Sequence, residues 1–203
     1  MKTFLHVGPG SKTKNQTTKE FAAEHWKELR IDIDSKVDAD YHGTILDMEQ
    51  VADEQVHGLY SSHNLEHVYS HQVKQALKEF LRVLKPEGFV VLTCPNLTPV
   101  CEAILKTGLE IPLYESPAGP ITPLEILYGH TASIMQGNEY MAHKCGFTEK
   151  TLAGHFISSG FANTATISRE APFYDLWIVA SKQPKTNEEL TSLAKLHFPT
   201  HGQ

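Results

Sequence analysis

The last two strand-like segments of the chain lie too close together in sequence to run parallel. Asn163 to Arg169 and Phe173 to Ser181 are both rich in strand-forming residues, and only Glu170-Ala171-Pro172 separates them. A parallel crossover needs about a dozen residues or more. These two strands must therefore form an antiparallel hairpin, and the fold has to accommodate it.

The rest of the chain alternates between strands and helices. Short apolar runs predict strands over Thr3 to Val7, Leu29 to Ile33, Gly43 to Asp47, Gln55 to Ser61 and Phe89 to Thr93. Apolar residues at helical spacing predict helices over Thr17 to Leu29, His71 to Leu84 and Phe147 to Gly160. This alternation indicates an α/β fold, with a doubly wound, mostly parallel sheet that ends in a C-terminal antiparallel β-hairpin.

The length of 203 residues suits one domain, which we expect to span residues 1–183. Within it, residues 109–146 carry Pro112, Pro117, Pro120 and Pro123 and are too long for an ordinary connection. Such segments often form lids or binding loops, so we predict a lid or substrate insertion here. Residues 184–203 are polar and then weakly amphipathic, and we expect a peripheral or mobile tail.

Charge and cysteine content narrow the classes of partner. A net charge of -6 disfavours nucleic acid as a partner. The three cysteines form no close-spaced pair, and the first residues run directly into a turn without a secretory segment. No apolar run approaches the roughly 20 residues that span a bilayer. We therefore expect a cytoplasmic protein with reduced thiols and no membrane association.

A glycine turn follows the first strand and suggests a nucleotide site. In open parallel sheets, ligands bind beyond the carboxyl ends of the strands, where glycines let the backbone approach them. Gly8 and Gly10 form the turn, and Asp32 ends the next strand at the spacing typical of an acid that binds ribose. Asp34 is its rival for that role. The third glycine of a dinucleotide fingerprint is missing, which disfavours a nicotinamide dehydrogenase. The alternative is that the glycines form only a turn.

The ordered motifs resemble those of a known enzyme family. They are LHVGPG (5–10), LRIDIDS (29–35), GTILDM (43–48), LYSSHNLEHV (59–68) and EFLRVLKPEGFVVLTCPN (79–96). Together they resemble class I S-adenosylmethionine-dependent methyltransferases, and most of all the type 11 group and its small bacterial relatives. The resemblance runs from about residue 3 to residue 181 and implies a Rossmann-like sheet in the order 3-2-1-4-5-7-6, with strand 7 antiparallel.

The resemblance implies S-adenosylmethionine as cofactor and S-adenosylhomocysteine as product, with methyl transfer to a small-molecule acceptor. The residues that it implies in cofactor binding come from four turns at strand ends. They are Gly8, Pro9 and Gly10 beside the methionine part, Asp32 and Ile33 at the ribose and adenine, Asp47 and Met48 at the adenine, and Ser61, Ser62 and His63 near the sulfonium. Asp47 as a solvated acid and Met48 as a core residue are the alternatives.

Two positions depart from the family pattern. His6 stands where the family usually has an acid, two positions before the first glycine, and Pro9 stands where small residues are common. Both lie at the amino-acid end of the implied cofactor site. A protein that binds the cofactor or its product without transferring a methyl group is therefore an alternative function.

His63-Asn64-Leu65-Glu66-His67 matches the H-x-x-E-H pattern of inverted zinc proteases. On a helix, His63 and His67 would share one face and could bind zinc, with Glu66 activating a water molecule. A zinc hydrolase is thus a second alternative. In the family pattern the same residues start a structural helix, and on that interpretation no residue is a metal ligand.

The sequence contains fewer signals about the residues that bind the methyl acceptor. If it loses a proton during the reaction, His130 or His143 of the 109–146 segment is the predicted general base. Either histidine can instead be a packing or surface residue, because neither has a recognisable partner in sequence. Cys94 is predicted to be a small buried residue and not a nucleophile.

Overall fold

The computed structural model describes residues 1–200, which contain nine strands and seven α-helices. The strands are β1 (Lys2–Val7), β2 (Trp26–Asp32), β3 (Tyr41–His42), β4 (Val56–Ser62), β5 (Leu84–Pro95), β6 (Tyr114–Ser116), β7 (Gly119–Ile121), β8 (Asn163–Arg169) and β9 (Asp175–Ser181). The helices are α1 (Lys19–Ala22), α2 (Val73–Val83), α3 (Leu97–Thr107), α4 (Pro123–Tyr128), α5 (Thr131–Met135), α6 (Glu149–Ser159) and α7 (Asn187–His197). Single 3-10 turns cover Lys14–Gln16, Leu65–His67, Ser70–Gln72 and Glu139–Met141.

Seven strands form one sheet in the order β3-β2-β1-β4-β5-β9-β8. The pairs from β3 to β5 are parallel, and β9 runs antiparallel to both β5 and β8. This is the predicted order 3-2-1-4-5-7-6 with an antiparallel strand 7. The fold class and the C-terminal hairpin predicted from sequence are therefore confirmed.

Apolar residues cover both faces of the sheet, because successive side chains of a strand point to opposite sides. One face carries the larger core, in which Leu5, Leu59 and Val90 are fully buried with residues of α2 and α6. The other face carries an aromatic layer, in which the ring of Phe21 lies 4.3 Å from that of Phe4. Gly58 of β4 makes room for this ring, since a Cβ there would approach Phe21 to 2.9 Å.

The first predicted helix and the third predicted strand differ from the structure. Helical residues extend only from Lys19 to Ala22, and the chain enters β2 at Trp26 because Lys2 to Val7 pair with it residue by residue. Tertiary pairing here overrides a helical pattern of apolar residues. Residues 43–47 form a turn closed by an antiparallel bridge between Thr44 and Asp47, and only Tyr41–His42 pairs as the third strand.

The predicted lid or insertion segment contains short elements that were not predicted. The hairpin of β6 and β7 is followed by α4, which Thr122 caps, and then by α5 and the 3-10 turn Glu139–Met141. The segment rejoins the body of the protein where the backbone amide of Lys144 donates to the carbonyl of Glu66 at 2.8 Å.

The sequence predicts a peripheral or mobile tail over residues 184–203, but part of this segment is packed against the sheet. Helix α7 buries Leu190 and Ala194 in the aromatic layer and packs His197 against the rings of Phe21 and Phe89, at 4.5 and 5.1 Å between ring centres. The sequence of the tail is only weakly amphipathic because the apolar residues that α7 buries form one narrow stripe along the helix. Residues 201–203 of the predicted tail lie outside the described part of the chain.

The glycine turn after β1 rests on the side chain of Asn64. Its amide nitrogen donates to the carbonyls of Val7 and Ser62, both at 3.0 Å, and contacts the hydroxyl of Ser61 at 3.3 Å. Gly8 lies above this amide with φ +58°, and a Cβ at Gly8 would come within 1.9 Å of the Asn64 oxygen. Position 8 therefore requires glycine both for its backbone conformation and for space.

Replacing Gly8 by alanine should cost more stability than the same change at Gly10. Both glycines have positive φ, but a Cβ at Gly10 meets nothing within 4 Å. Each variant loses about 1–2 kcal/mol for left-handed backbone, and Gly8→Ala loses about 1–3 kcal/mol more by displacing the Asn64 amide. Urea unfolding of both variants measures the difference, and equal losses would contradict the proposed packing.

His197 should make the protein less stable in mild acid. Its ring is buried, with Nδ1 2.8 Å from the Thr18 hydroxyl, and burial lowers the pKa of His197 to about 4. Between pH 6.5 and 4 the unfolded chain binds a proton at this residue that the folded chain does not, so stability falls as the pH falls.

The expected loss is about 2 kcal/mol between pH 7 and pH 5. Urea unfolding at both pH values should show that His197→Gln removes this part of the pH dependence. His71→Gln, at an exposed histidine, is the control and should retain it. If the stability of the wild type and that of His197→Gln depended on pH in the same way, the His197 ring would not be buried in its uncharged form.

Candidate functional site

The larger of two neighbouring cavities lies beyond the carboxyl ends of β1, β2 and β4. Its volume is about 480 Å³, within the range usual for sites that hold small organic ligands. The cavity lies where the sheet order reverses, between β1 and β4, as expected for a ligand site in such a sheet. Its wall is formed by Val7, Gly8, Gly10, Ile31, Asp32, Ile33, Asp34, Val37, Gly43, Thr44, Ile45, Leu46, His63, Asn64, His67, Val68, Tyr69, Gln72, Asn138, Tyr140, Met141 and Lys144.

The carboxylate of Asp32 is fixed at the end of β2 by two backbone amides. Gly10 donates to Oδ2 at 2.9 Å, and Asp34 donates to Oδ1 at 2.9 Å. Each carboxylate oxygen has a second lone pair, so both can still accept a hydrogen bond from a ligand. Arg30 braces the same loop by donating to the carbonyl of Gly10 at 2.8 Å. The acid is thus held at one place in the cavity wall before any ligand arrives.

Half of the residues implied in cofactor binding line this cavity, and half do not. Those in the wall are Gly8, Gly10, Asp32, Ile33 and His63. Asp34, the rival of Asp32, also reaches the wall. Ser61 and Ser62 contact Asn64 and thereby position the glycine turn. Pro9 is buried behind the turn.

Asp47 and Met48 are placed elsewhere. Asp47 borders a separate surface depression beside α2, and Met48 is buried in the larger core, which is the alternative considered for it. The physical reason is the turn at 43–47, which replaces the expected strand and shifts which side chains face the cavity. Thr44, Ile45 and Leu46 occupy the wall instead.

His6, which replaces the acid usual in the family, is buried beside an acid from the neighbouring strand. Its Nδ1 lies 2.7 Å from Oε1 of Glu28. Burial lowers the pKa of His6 despite this contact. The side chain of His6 is not among the residues that line the larger cavity. The presence of histidine in place of the usual acid therefore does not alter the wall of that cavity.

A smaller cavity of about 190 Å³ adjoins the larger one. Most of its wall comes from the predicted lid and from the turn between β8 and β9. The two cavities share His63, His67 and Met141. The remaining lining residues of the smaller cavity are Pro95, Tyr114, Ile121, Glu125, Ile126, His130, His143, Phe173 and Tyr174.

Both histidines predicted as candidate bases lie in the wall of the smaller cavity. His143 points its Nδ1 at the carbonyl of Ile126, 2.8 Å away, and burial lowers the pKa of His143. His130 pairs its Nδ1 with the hydroxyl of Ser133 at 2.8 Å. The structure brings these two residues to one cavity although they are 13 positions apart in sequence.

The H-x-x-E-H segment is not the helix that a zinc protease requires. His63 has φ +56° and precedes the 3-10 turn Leu65–His67, so His63 and His67 do not share a helical face. His63 instead contacts the buried carboxylate of Glu66 through Nδ1 at 3.2 Å. Burial alone would raise the pKa of Glu66, but the hydrogen bond and the charge of His63 lower it.

Several residues of the two cavities gave no separate signal in sequence. Asn64, Tyr140, Met141 and Lys144 have no characteristic spacing from the glycine turn. Asn64 reaches the site through the turn after β4, and the other three reach it through the path of the 109–146 segment. The buried Cys94 was correctly predicted as a core residue, and burial raises the pKa of its thiol. None of the helices among residues 1–200 combines the length and the apolar character needed to cross a bilayer.

Comparison with known proteins supports the fold. Residues 5–92 match a family model described as a methyltransferase domain. A comparison with curated proteins gives no match.

Solved structures of methyltransferases superpose on nearly the whole chain. One from Methanosarcina mazei, described as a SAM-dependent methyltransferase, is 17% identical, with 91% of this chain and 93% of that chain covered and a TM-score of 0.56. A Listeria monocytogenes structure, described as a putative S-adenosylmethionine-dependent methyltransferase, is 20% identical, with 90% of each chain covered and a TM-score of 0.54.

A third structure contains ligands. It is the 1,6-didemethyltoxoflavin-N1-methyltransferase of Burkholderia thailandensis with bound 1,6-didemethyltoxoflavin and S-adenosylhomocysteine. It is 14% identical, with 90% of this chain and 72% of that chain covered and a TM-score of 0.55. The fold that the sequence resemblance implied is thus confirmed: the chain has the fold of the class I S-adenosylmethionine-dependent methyltransferases, and its residues 5–92 match the model of a methyltransferase domain.

Proposed function

We propose that the protein is an S-adenosylmethionine-dependent methyltransferase that acts on a small molecule. The observation that carries the proposal is the contact between the two cavities. One is walled by the glycine turn and Asp32, the other is walled by the lid, and they share His63, His67 and Met141. A methyl donor in the first cavity and an acceptor in the second would meet at these three residues.

The residues of the larger cavity fit an adenosyl cofactor. Gly8 and Gly10 leave the backbone exposed beside the cavity, and Asp32 retains lone pairs for two ribose hydroxyls. Ile33 and Leu46 offer apolar surface for an adenine ring. The Burkholderia neighbour was solved with S-adenosylhomocysteine, which supports the same class of ligand here.

The bound cofactor would supply an electrophilic methyl group on a sulfonium, which an acceptor atom takes up by in-line displacement as the methyl–sulfur bond breaks. The protein has to align the acceptor and exclude water. Tyr114, Ile126 and Phe173 provide apolar walls for that purpose. His130 and His143 line the same cavity, so an acceptor that loses a proton has an imidazole within its own pocket.

The smaller cavity limits the acceptor. Its volume of about 190 Å³ is below the roughly 300–1,000 Å³ of pockets that enclose drug-sized ligands. The part of the acceptor that enters is therefore about the size of a single ring. Apolar residues and imidazoles in its wall suit a hydroxylated or nitrogen-containing ring.

Removal of the Asp32 charge should weaken cofactor binding. Hydrogen bonds to a charged group contribute about 1.5–3 kcal/mol, so Asp32→Asn is expected to bind S-adenosylhomocysteine about 10- to 100-fold more weakly by calorimetry. Asp47→Asn is the control, because Asp47 lies outside this cavity, and its affinity should equal that of the wild type. Equal affinities for all three proteins would contradict the assignment of Asp32.

Turnover separates an enzyme from a protein that only binds the cofactor. The wild type is incubated with S-adenosylmethionine and a panel of single-ring phenols and amines, and formation of S-adenosylhomocysteine is measured. We expect acceptor-dependent product with at least one member. Tight binding without product from any acceptor would favour the binding protein, and absence of binding would contradict both functions.

A further inference from the structure

We propose that Glu66, His67 and His143 form a binding site for a divalent transition-metal ion at the boundary between the two cavities. Among residues 1–200 these three side chains each offer a ligand atom, and the three atoms lie within 4.8 Å of one another. Glu66 and His67 come from the 3-10 turn after β4, whereas His143 comes from the end of the lid.

Backbone carbonyls hold both imidazoles through Nδ1 and leave Nε2 for a metal ion. His67 directs Nδ1 at the carbonyl of Ala142, 3.1 Å away, and His143 directs Nδ1 at the carbonyl of Ile126, 2.8 Å away. A carbonyl only accepts, so each Nδ1 carries a hydrogen, and the lone pair that a metal ion needs is on Nε2. A ring nitrogen that donates to a carbonyl while the other faces the ion is the usual arrangement of metal-binding histidines.

Glu66 supplies a buried carboxylate oxygen without a hydrogen-bond partner where a cation is needed. The residue is 1% exposed, and its Oε2 has no hydrogen-bond partner. His63 contacts only the other oxygen, Oε1, at 3.2 Å. A buried carboxylate oxygen without a partner is costly, and no hydrogen bond from His67 or His143 reaches it. A metal ion would satisfy this oxygen and both lone pairs together.

Two imidazoles and one carboxylate form a three-residue set that leaves a coordination position open. Protein sites of this kind hold Zn²⁺ or Fe²⁺ and bind water or substrate at the open position. Both His67 and His143 line the smaller cavity, so the open position is accessible to a ligand there. This set differs from H-x-x-E-H, because its second histidine lies in the lid, and His63 positions Glu66 instead of binding the metal.

The chemical role suggested for the ion depends on the proposed methyltransferase function. The binding of the ion does not depend on that function. An ion at this place would bind an oxygen or nitrogen atom of the acceptor and ease its deprotonation. The proton would pass to His130, whose ring lines the same cavity. The freed lone pair would then attack the methyl carbon as the methyl–sulfur bond breaks and its electron pair passes to the sulfur of S-adenosylhomocysteine. His143 then acts as a metal ligand and not as the general base.

Cobalt(II) is a suitable probe of the site because its visible absorption depends on the number of ligands that bind it. The full chain is treated with chelator, dialysed and titrated with Co²⁺ by calorimetry and visible absorption. We expect one equivalent to bind, with d–d bands typical of four or five ligands. His143→Ala and Glu66→Gln should each weaken Co²⁺ binding by more than 100-fold, and His130→Ala, at a histidine of the same cavity outside the cluster, should leave it unchanged.

Circular dichroism of each variant establishes that it is folded. Absence of stoichiometric Co²⁺ binding to the wild type, or equal binding to His143→Ala, would overturn the proposal. Calorimetry with S-adenosylhomocysteine on the same protein keeps the two proposals apart. Co²⁺ binding without S-adenosylhomocysteine binding would retain the metal site and contradict the methyltransferase, and the reverse result would retain only the methyltransferase.

Discussion

The amide of Asn64 is the contact on which both cavities depend. It joins the end of β1 to the end of β4 through the carbonyls of Val7 and Ser62. Gly8 can pass above it only because glycine lacks a Cβ. The turn at Gly8 forms one wall of the larger cavity, and His63, next to Asn64, lies where the two cavities meet. This half-buried amide therefore positions the glycine turn of the proposed cofactor site relative to His63 at the boundary of the proposed acceptor site.

The second organising feature is the buried carboxylate of Glu66. Its side chain lies beside His63 and His67 from the turn after β4 and beside His143 from the 109–146 segment. Its backbone carbonyl accepts hydrogen bonds from the amides of Lys144 and Cys145 at 2.8 and 3.2 Å. The 109–146 segment is thus attached to the rest of the protein at the residue that contributes the carboxylate of the proposed metal site. Binding of a cation there would link the position of the lid to the chemistry of the acceptor pocket.

Sequence patterns predicted the features that depend on neighbouring residues. The three-residue separation of the last strands required a hairpin, and the glycine turn and Asp32 follow their strands directly. The pattern failed where distant segments decide the structure. Pairing of β2 with β1 shortened the first helix, and the turn at 43–47 moved Asp47 and Met48 out of the cavity. Glu66 and His143 lie 77 residues apart, so no local pattern could have brought them together.

A crystal structure of the protein with S-adenosylhomocysteine is the most direct test of the central claim. We expect the ribose hydroxyls to bind the carboxylate of Asp32, the methionine part to lie along Gly8 and Gly10, and the sulfur to face the boundary formed by His63, His67 and Met141. Density for the ligand elsewhere, with the sulfur directed away from the smaller cavity, would contradict it.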